Sequence, residues 1–382
     1  MTESRPRAGR GRRRDRRVYL ASHPVLFALL TATRRVPVRR IGRTVLVHDA
    51  APFADALRRV PLDRSAQRTT AGAARRATGG DGFLFDQEGY GHRRTRRDTA
   101  TMFGTEGVAR LRPVWLDVLR RRLAPLADGA EVDIVDVVAE LAGAATAALL
   151  GVDVAAGAAD SPGHALTAAA RAAAATAARH HLPGLRWPGQ ARRDERATAR
   201  AAAELARLLG VAPEEAARAS VLAVASINTT MAAIPRAVAW CADDQWWAAA
   251  ADAGSRDALV AELLRVTAAS PVLPRVAAGP AELAGVGVRA GDRLLLVARH
   301  AAHAGRPAPD PGTPVPATVG QLVFGTGPHR CPGARLAHAQ LADVLAALAP
   351  YRPMVTGARV DRRSALPGWA RLTLRATVRA GR

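Results

Sequence analysis

The sequence contains no lysine, only two cysteines and few aromatic residues. The missing lysine excludes a phosphate-loop lysine, a pyridoxal Schiff base and a Ser-x-x-Lys site. The cysteines, Cys241 and Cys331, lie too far apart in sequence for a Cys-x-x-Cys zinc site and are too few for a disulfide framework. No apolar run approaches the roughly 18–20 residues of a membrane span, and the start lacks signal-peptide features. We therefore expect a cytoplasmic protein without a membrane span.

Positive charge is abundant, because all 55 basic residues are arginine and the formal net charge is +22. Such a charge raises nucleic acid as a possible partner. The arginines, however, accompany abundant alanine and glycine along the whole chain, which indicates a compositional bias, so nucleic-acid binding is not expected. The cluster from Arg5 to Arg17 is an exception. We interpret residues 1–17 as a basic, disordered tail in front of one domain, residues 18–382.

The apolar patterns predict a helix-rich chain. The principal predicted helices cover residues 107–127, 132–150, 161–181, 192–210 and 213–241. Two β-hairpins are predicted, over residues 36–48 and 286–297. The stretches 61–82 and 182–189 are expected to be loops.

A glycine-rich stretch before a helix carries the strongest chemical signal. It reads Phe324-Gly325-Thr326-Gly327-Pro328-His329-Arg330-Cys331-Pro332-Gly333. Gly325 and Gly327 allow backbone angles that other residues avoid, which predicts a tight turn. The pattern over 334–348 predicts a helix, with Pro332 at its first position. Cys331 is then expected at the helix N-terminus, where exposed N–H groups favour a thiolate that can bind a soft or borderline metal.

This stretch resembles the cysteine loop of the cytochromes P450, whose pattern is Phe-Gly-x-Gly-x-His-x-Cys-x-Gly. The matching positions are Phe324, Gly325, Gly327, His329, Cys331 and Gly333. The resemblance implies that Cys331 is the thiolate ligand of haem iron, and that Phe324, His329 and Gly333 help to hold haem b, iron protoporphyrin IX. It also implies the family's fold, mainly α with small β-sheets, as a single large unit enclosing the haem. A buried structural cysteine would require all of these spacings to coincide by chance.

Three cationic residues are expected to hold the haem propionates. The segment from His92 to Arg97 opens a predicted helix and resembles the family's His-x-x-x-Arg segment. This implies that His92 and Arg96 contact propionates, and their i, i+4 spacing places both on one helix face. Arg275 resembles the family's strand arginine, which contacts a propionate. Taken alone, residues 92–97 would instead be an arginine-rich surface helix.

The pattern Glu-x-x-Arg occurs at Glu262 and Arg265, ahead of the cysteine loop. Residues three apart share a helix face, so these two charges can pair. The resemblance implies a structural ion pair, buried behind the haem, that locks the segment leading to the cysteine. Residues 302–320 match the family poorly, and we expect a shortened meander there.

A further helical segment resembles the family's oxygen-activating helix, whose pattern is Ala/Gly-Gly-x-Asp/Glu-Thr-Thr. Thr229 matches the threonine that hydrogen-bonds dioxygen, but Ser226 replaces the glycine and Asn228 replaces the acid. An amide cannot titrate, so Asn228 cannot shuttle protons as a carboxylate does. Four interpretations stay open: a relay through water, Thr229 and substrate; the use of peroxide; chemistry other than hydroxylation; or a helix amide satisfied by water.

The resemblance implies a haem-thiolate oxidoreductase, a monooxygenase that inserts one atom of dioxygen into an apolar or natural-product-like small molecule, as in secondary metabolism. Electrons would come from a separate ferredoxin-type donor, whose acidic surface suits a basic face near Arg330 and Arg335. Two alternatives are a peroxide-dependent or oxidative-coupling enzyme, motivated by Asn228, and a non-catalytic haem-binding protein.

Overall fold

The computed structural model describes residues 9–66, 69, 72, 84–153, 161–179, 190–303 and 305–377. Three sequence expectations fall wholly or partly outside these residues: the start of the predicted tail, most of the loop over 61–82, and the loop over 182–189.

Helices dominate the described chain. They are α1 (Arg10–Ser22), α2 (Pro24–Thr33), α3 (Ala50–Arg58), α4 (Gly89–Phe103), α5 (Thr105–Leu123), α6 (Ile134–Leu150), α7 (Pro162–Arg179), α8 (Gln190–Leu209), α9 (Pro213–Asp243), α10 (Trp247–Ala251), α11 (Ala253–Thr267), α12 (Ala298–His303), α13 (Ala317–Gly320) and α14 (Ala334–Leu348). Short 3₁₀ turns cover Ala124–Asp128, Gln321–Phe324 and Ala349–Tyr351. The long predicted helices are thus present, with ends shifted by a few residues.

The strands form small sheets. They are β1 (Val38–Ile41), β2 (Thr44–Val47), β3 (Glu131–Asp133), β4 (Leu273–Val276), β5 (Ala281–Leu283), β6 (Val286–Val288), β7 (Arg293–Leu296), β8 (Met354–Asp361) and β9 (Gly368–Arg375). One sheet has the order β1-β2-β7-β4, in which only the β2–β7 pair is parallel. The second is antiparallel, β3-β9-β8, and the third is the β5-β6 hairpin.

One predicted hairpin is present and the other is wrong. β1 pairs with β2 in register Val38↔Val47, with Gly42 in the turn at a φ of 56°. The predicted hairpin over residues 286–297 does not form, because β6 pairs back with β5 while β7 pairs with β2 and β4. The apolar run of β7 is buried between two strands, and such pairing is not encoded by a local turn.

Helix α9 is the central element of the fold. It begins with proline at its first turn, where the missing N–H costs nothing, and contacts α1, α6, α7, α11, α14 and β9. Its buried side chains, including Ile227, Val238, Trp240 and Cys241, belong to the largest apolar cluster. By length and composition α9 passes as a candidate membrane span, but 72% of its apolar window is buried inside the protein. That burial is the pattern of a core helix.

The expectation of a disordered tail is wrong for residues 10–17, which form the first two turns of α1. Asp15 is 3% exposed and accepts hydrogen bonds from Arg236 Nε at 2.8 Å and from Arg299 Nη1 at 2.9 Å. The Tyr19 hydroxyl donates to the Thr267 carbonyl oxygen at 2.6 Å. The arginine-rich segment thus contains one buried carboxylate, Asp15, which neutralises Arg236 and Arg299 from other elements.

Candidate active site

A cavity of about 320 Å³ lies between the cysteine loop and α9. The loop and the start of α14 line it on one side with Phe324, His329, Cys331 and Gly333, among others. On the other side the lining comes from the middle of α9, and it is mostly apolar. The structure therefore brings two separate predicted motifs to opposite walls of one cavity.

The cysteine loop is held by its own backbone. Gly325 and Gly327 have φ angles of 71° and 74°, the left-handed region that favours glycine, as their positions in the motif predicted. The Cys331 N–H donates to the Phe324 carbonyl oxygen at 2.8 Å, and the Arg330 N–H donates to the Gly327 carbonyl oxygen at 3.1 Å. These bonds fold the chain back on itself and present the sulfur of Cys331 to the cavity.

One expectation about this loop is wrong. Helix α14 begins at Ala334 with Gly333 as its N-cap, so Pro332 lies in the preceding turn rather than at the first helical position. Burial raises the pKa of the Cys331 thiol above its ordinary value, although the Gly333 N–H, Arg96 and Arg330 act in the opposite direction. A metal cation bound to the sulfur would stabilise the thiolate.

A cluster of basic side chains adjoins this cavity. The ring of His92 stacks on that of His329, which lines the cavity, at a centroid distance of 3.9 Å. Burial, followed by the charges of Arg64 and other neighbours, lowers the pKa of His329 to about 3. Burial and Arg96 likewise lower the pKa of His92. Both imidazoles are therefore neutral at pH 7, and both lie in a strongly positive field.

The arginines of the cluster have few partners. Burial and the charge of Arg64 lower the pKa of Arg275 to about 10. The Arg275 Nη1 donates to the Pro274 carbonyl oxygen at 2.9 Å, while its Nε has no hydrogen-bond partner. His92 Nε2 is also buried without one. Arg64 lies 3.5 Å from the exposed carboxylate of Glu88. Sequence reasoning missed Arg64, because no motif marks it within the stretch assigned to a loop.

This arrangement fits an iron porphyrin with two propionates. Buried donors without acceptors are costly, and so is a cation cluster with little counter-charge. A dianion bound beside Arg64, Arg96 and Arg275 would remove both costs. The cavity between them is apolar, as a macrocycle requires, and Cys331 supplies a sulfur ligand of the type that haem iron accepts. The donor set and the unpartnered atoms thus match the group that the cysteine loop implies.

Glu262 and Arg265 form the ion pair that their spacing on α11 predicted. Both are buried, with Arg265 Nη2 2.6 Å from Glu262 Oε2. Arg265 also donates to the carbonyl oxygens of Arg306 and Ala308 at 2.6 and 2.8 Å. Glu262 accepts the N–H groups of Asp310 and Val315 at 3.0 and 3.1 Å. The pair thus fixes the irregular segment that leads to the cysteine loop.

The α9 wall carries hydroxyl groups. Ser226, Thr229 and Thr230 line the cavity. Thr229 Oγ1 donates to the Ala225 carbonyl oxygen at 2.8 Å, and Ser226 Oγ accepts a hydrogen bond from Thr146 at 3.2 Å. Both hydroxyl oxygens retain the capacity to accept a hydrogen bond from a ligand or water in the cavity.

Asn228 faces away from the cavity. Its Nδ2 donates to the carbonyl oxygens of Val224, one turn earlier, at 2.9 Å and of Ala170 on α7 at 3.2 Å. The amide is 8% exposed and is not among the residues that line the cavity. Of the interpretations left open, this geometry favours a structural amide, with two protein carbonyls as its acceptors instead of water.

Residues outside the motifs also support the site. Arg58, at the end of α3, donates to Thr326 Oγ1 at 2.8 Å and so ties α3 to the cysteine loop. Phe103, the last residue of α4, lines the cavity beside Gly333. These contacts join distant parts of the chain, and no local pattern marks either of them.

Comparison with known proteins connects the fold to one structural family. Neither a scan against family models nor a search of curated proteins gives a match. The fold, by contrast, is similar to P450BioI in complex with an acyl carrier protein ligated to hexadec-9Z-enoic acid (TM-score 0.74, 17% identity, covering 94% of this chain and 99% of that one).

Two more solved structures show the same similarity. Epothilone B-bound cytochrome P450epoK has a TM-score of 0.71 at 18% identity, covering 93% of this chain and 97% of that one. CYP109E1 from Bacillus megaterium in complex with testosterone has a TM-score of 0.72 at 16% identity, covering 94% and 100%. The chain therefore has the cytochrome P450 fold, mainly α with small sheets, over nearly its whole length.

Proposed function

We propose that the protein is a haem-thiolate monooxygenase with Cys331 as the iron ligand. One observation carries the proposal: a sulfur ligand and a cluster of arginines with little counter-charge share one apolar cavity. When bound, haem b supplies the redox chemistry that activates dioxygen for insertion into a C–H bond. Arg96, Arg275 and His92 bind its propionates, joined by Arg64. Phe324, His329 and Gly333 hold it against the loop.

In this proposal the residues of α9 that line the cavity transfer protons to the reacting oxygen. Thr229 is the hydroxyl that holds a proton beside the reacting oxygen, and Ser226 orients water next to it. Among the α9 residues that line the cavity there is no carboxylate, so on this wall protons would pass through water and these hydroxyls. Asn228 acts only by positioning α9 against α7.

The substrate we propose is an apolar or natural-product-like small molecule, because the α9 wall offers mainly alkyl groups. Solved structures with the same fold carry testosterone, epothilone B and a fatty-acyl carrier protein, which supports this class. Electrons come from a separate ferredoxin-type donor that binds the exposed arginines Arg330 and Arg335 beside the cysteine loop. We place the enzyme in the cytoplasm, in secondary metabolism.

A second candidate is a peroxide-dependent haem-thiolate enzyme. The orientation of Asn228 and the lack of an acid on the α9 side of the cavity favour it, since peroxide already carries the electrons and protons that dioxygen needs. If a ferredoxin system supports faster turnover than hydrogen peroxide, this candidate fails.

The deciding experiment is the carbon monoxide difference spectrum of the reduced protein reconstituted with haemin. The parent and Cys241→Ala should both give the red-shifted band of thiolate-ligated haem, while Cys331→Ser should lose it. Cys241 is fully buried away from the cavity and serves as the matched control. A band retained in Cys331→Ser, or absent from the parent, would refute the proposal.

A further inference from the structure

A second, larger concave site lies apart from the cavity. It is a cleft of about 1030 Å³ between α1 and the β8–β9 hairpin, with Asp243 at the end of α9 also lining it. It shares no lining residue with the cavity beside Cys331. The function proposed above makes no use of it.

Arginines line both sides of this cleft. On α1 they follow the spacing i, i+3, i+4, i+7, which places Arg10, Arg13, Arg14 and Arg17 on one helix face. The hairpin contributes Arg359, Arg362 and Arg363. All of them except Arg14 are exposed. Two independent elements therefore direct the same charge into one concave space.

The two carboxylates in the cleft are already engaged. Asp243 Oδ2 lies 2.5 Å from Arg14 Nε. Asp361 pairs with Arg171 on α7 at 2.5 Å, and its Oδ1 accepts the Arg363 N–H at 2.8 Å. Within the part of the chain that the structure describes, the other six arginines of the cleft have no ion pair. The cleft therefore has a large excess of positive charge.

Composition alone does not explain this excess. The arginines at the end of α5 are equally dense, yet Arg120, Arg121 and Arg122 all pair with carboxylates of α5 and α6. Like charges in a cleft repel one another, and a bound anion would reduce that repulsion. The cleft differs from the ordinary arginine-rich surface of this protein.

We propose that the cleft binds a small polyphosphate-bearing anion, such as a nucleotide with two or more phosphates. The guanidinium fork matches phosphate oxygens in bidentate geometry, and a polyphosphate concentrates several charges within a few ångströms. The volume slightly exceeds the usual range for small-ligand sites, about 300–1,000 Å³. Its lining also includes Gly357 and Trp369 of the hairpin.

The test is binding of tripolyphosphate to the full chain at physiological salt, by calorimetry. The parent should bind one equivalent, and Arg10→Gln/Arg13→Gln/Arg17→Gln should weaken binding at least tenfold. Because that variant also changes α1, the hairpin variant Arg359→Gln/Arg362→Gln tests the other wall independently. The matched control is Arg192→Gln/Arg196→Gln/Arg200→Gln, which removes three exposed arginines from α8 outside the cleft.

The control should change binding less than twofold. The proposal is overturned if tripolyphosphate does not bind, or if the control weakens binding as much as the cleft variants, since binding would then follow total charge. It is also overturned if a poly-glutamate peptide binds more tightly than tripolyphosphate, because the cleft would then recognise an acidic protein segment. Folding of each variant is checked by circular dichroism.

Discussion

The two walls of the cavity are built on different physical principles. The cysteine-loop wall is fixed by left-handed glycines, backbone hydrogen bonds and the buried Glu262–Arg265 pair behind it. The α9 wall is fixed by apolar packing and by the amide of Asn228. The first contains the sulfur and adjoins most of the cations, while the second offers only hydroxyl and alkyl groups. In the proposed function, binding of a charged cofactor and delivery of protons therefore fall on opposite sides of the cavity.

The largest effect should come from breaking the support of the loop wall. Arg265→Leu leaves Glu262 buried without its counter-charge, and we expect unfolding to be easier by about 3–5 kcal/mol. Urea denaturation measures the change. Arg207→Leu is the control, because Arg207 forms an i, i+3 pair with Glu204 of the same spacing at the surface, 2.7 Å apart. Equal losses of stability in the two variants would contradict the importance of burial.

The next largest effect should come from removing one of the arginines beside the cavity. Arg275→Leu removes a buried guanidinium that we assign to a propionate, a charge-assisted contact of about 1.5–3 kcal/mol. Haem should therefore transfer to an excess of apomyoglobin at least tenfold faster. Arg289→Leu, at an exposed site outside the cavity, should leave the transfer rate unchanged. If the rate of haem transfer is unchanged in Arg275→Leu, Arg275 does not contact a propionate.

Substitution of Asn228 on α9 should have a smaller effect, which distinguishes a structural amide from a proton-delivering group. Asn228→Asp places carboxylate oxygens against the carbonyl oxygens of Val224 and Ala170, so we expect a loss of about 1–3 kcal/mol of stability. Asn228→Ala should cost about 1 kcal/mol, since it removes the donor without adding repulsion. Thermal unfolding ranks the two. Faster dioxygen-dependent turnover in Asn228→Asp would show instead that this position delivers protons.

The smallest effect is a pH dependence of the loop wall. The unfolded chain binds a proton at His329 near the ordinary pKa of 6.5, whereas the native pKa is about 3, because of burial and then Arg64. Stability should fall as pH drops from 6.5 towards 3, by about 1 kcal/mol or less between pH 6.5 and 5.5 for this partly exposed ring. His329→Asn should flatten the slope in the haem-free chain. If stability depends on pH equally in the parent and in His329→Asn, His329 does not contribute to that dependence.

Sequence reasoning succeeded where chemistry depends on spacing along the chain. The turn at Gly325 and Gly327, the pairing of Glu262 with Arg265 and the C-terminal end of α14 all follow from local rules. It failed where a partner comes from a distant element. The orientation of Asn228 depends on a carbonyl of α7, and β7 chooses partners other than its neighbour β6.

Asp15 is the clearest case of such a failure, and it has a practical consequence. A shortened version of this protein, made by trimming the arginine-rich start as dispensable, would lose the counter-ion of Arg236, which is 1% exposed. That guanidinium lies on the same helix as Ser226 and Thr229, less than three turns away. Removing the start of the chain would therefore disturb its middle, so the choice of expression boundary also affects the helix that lines the cavity.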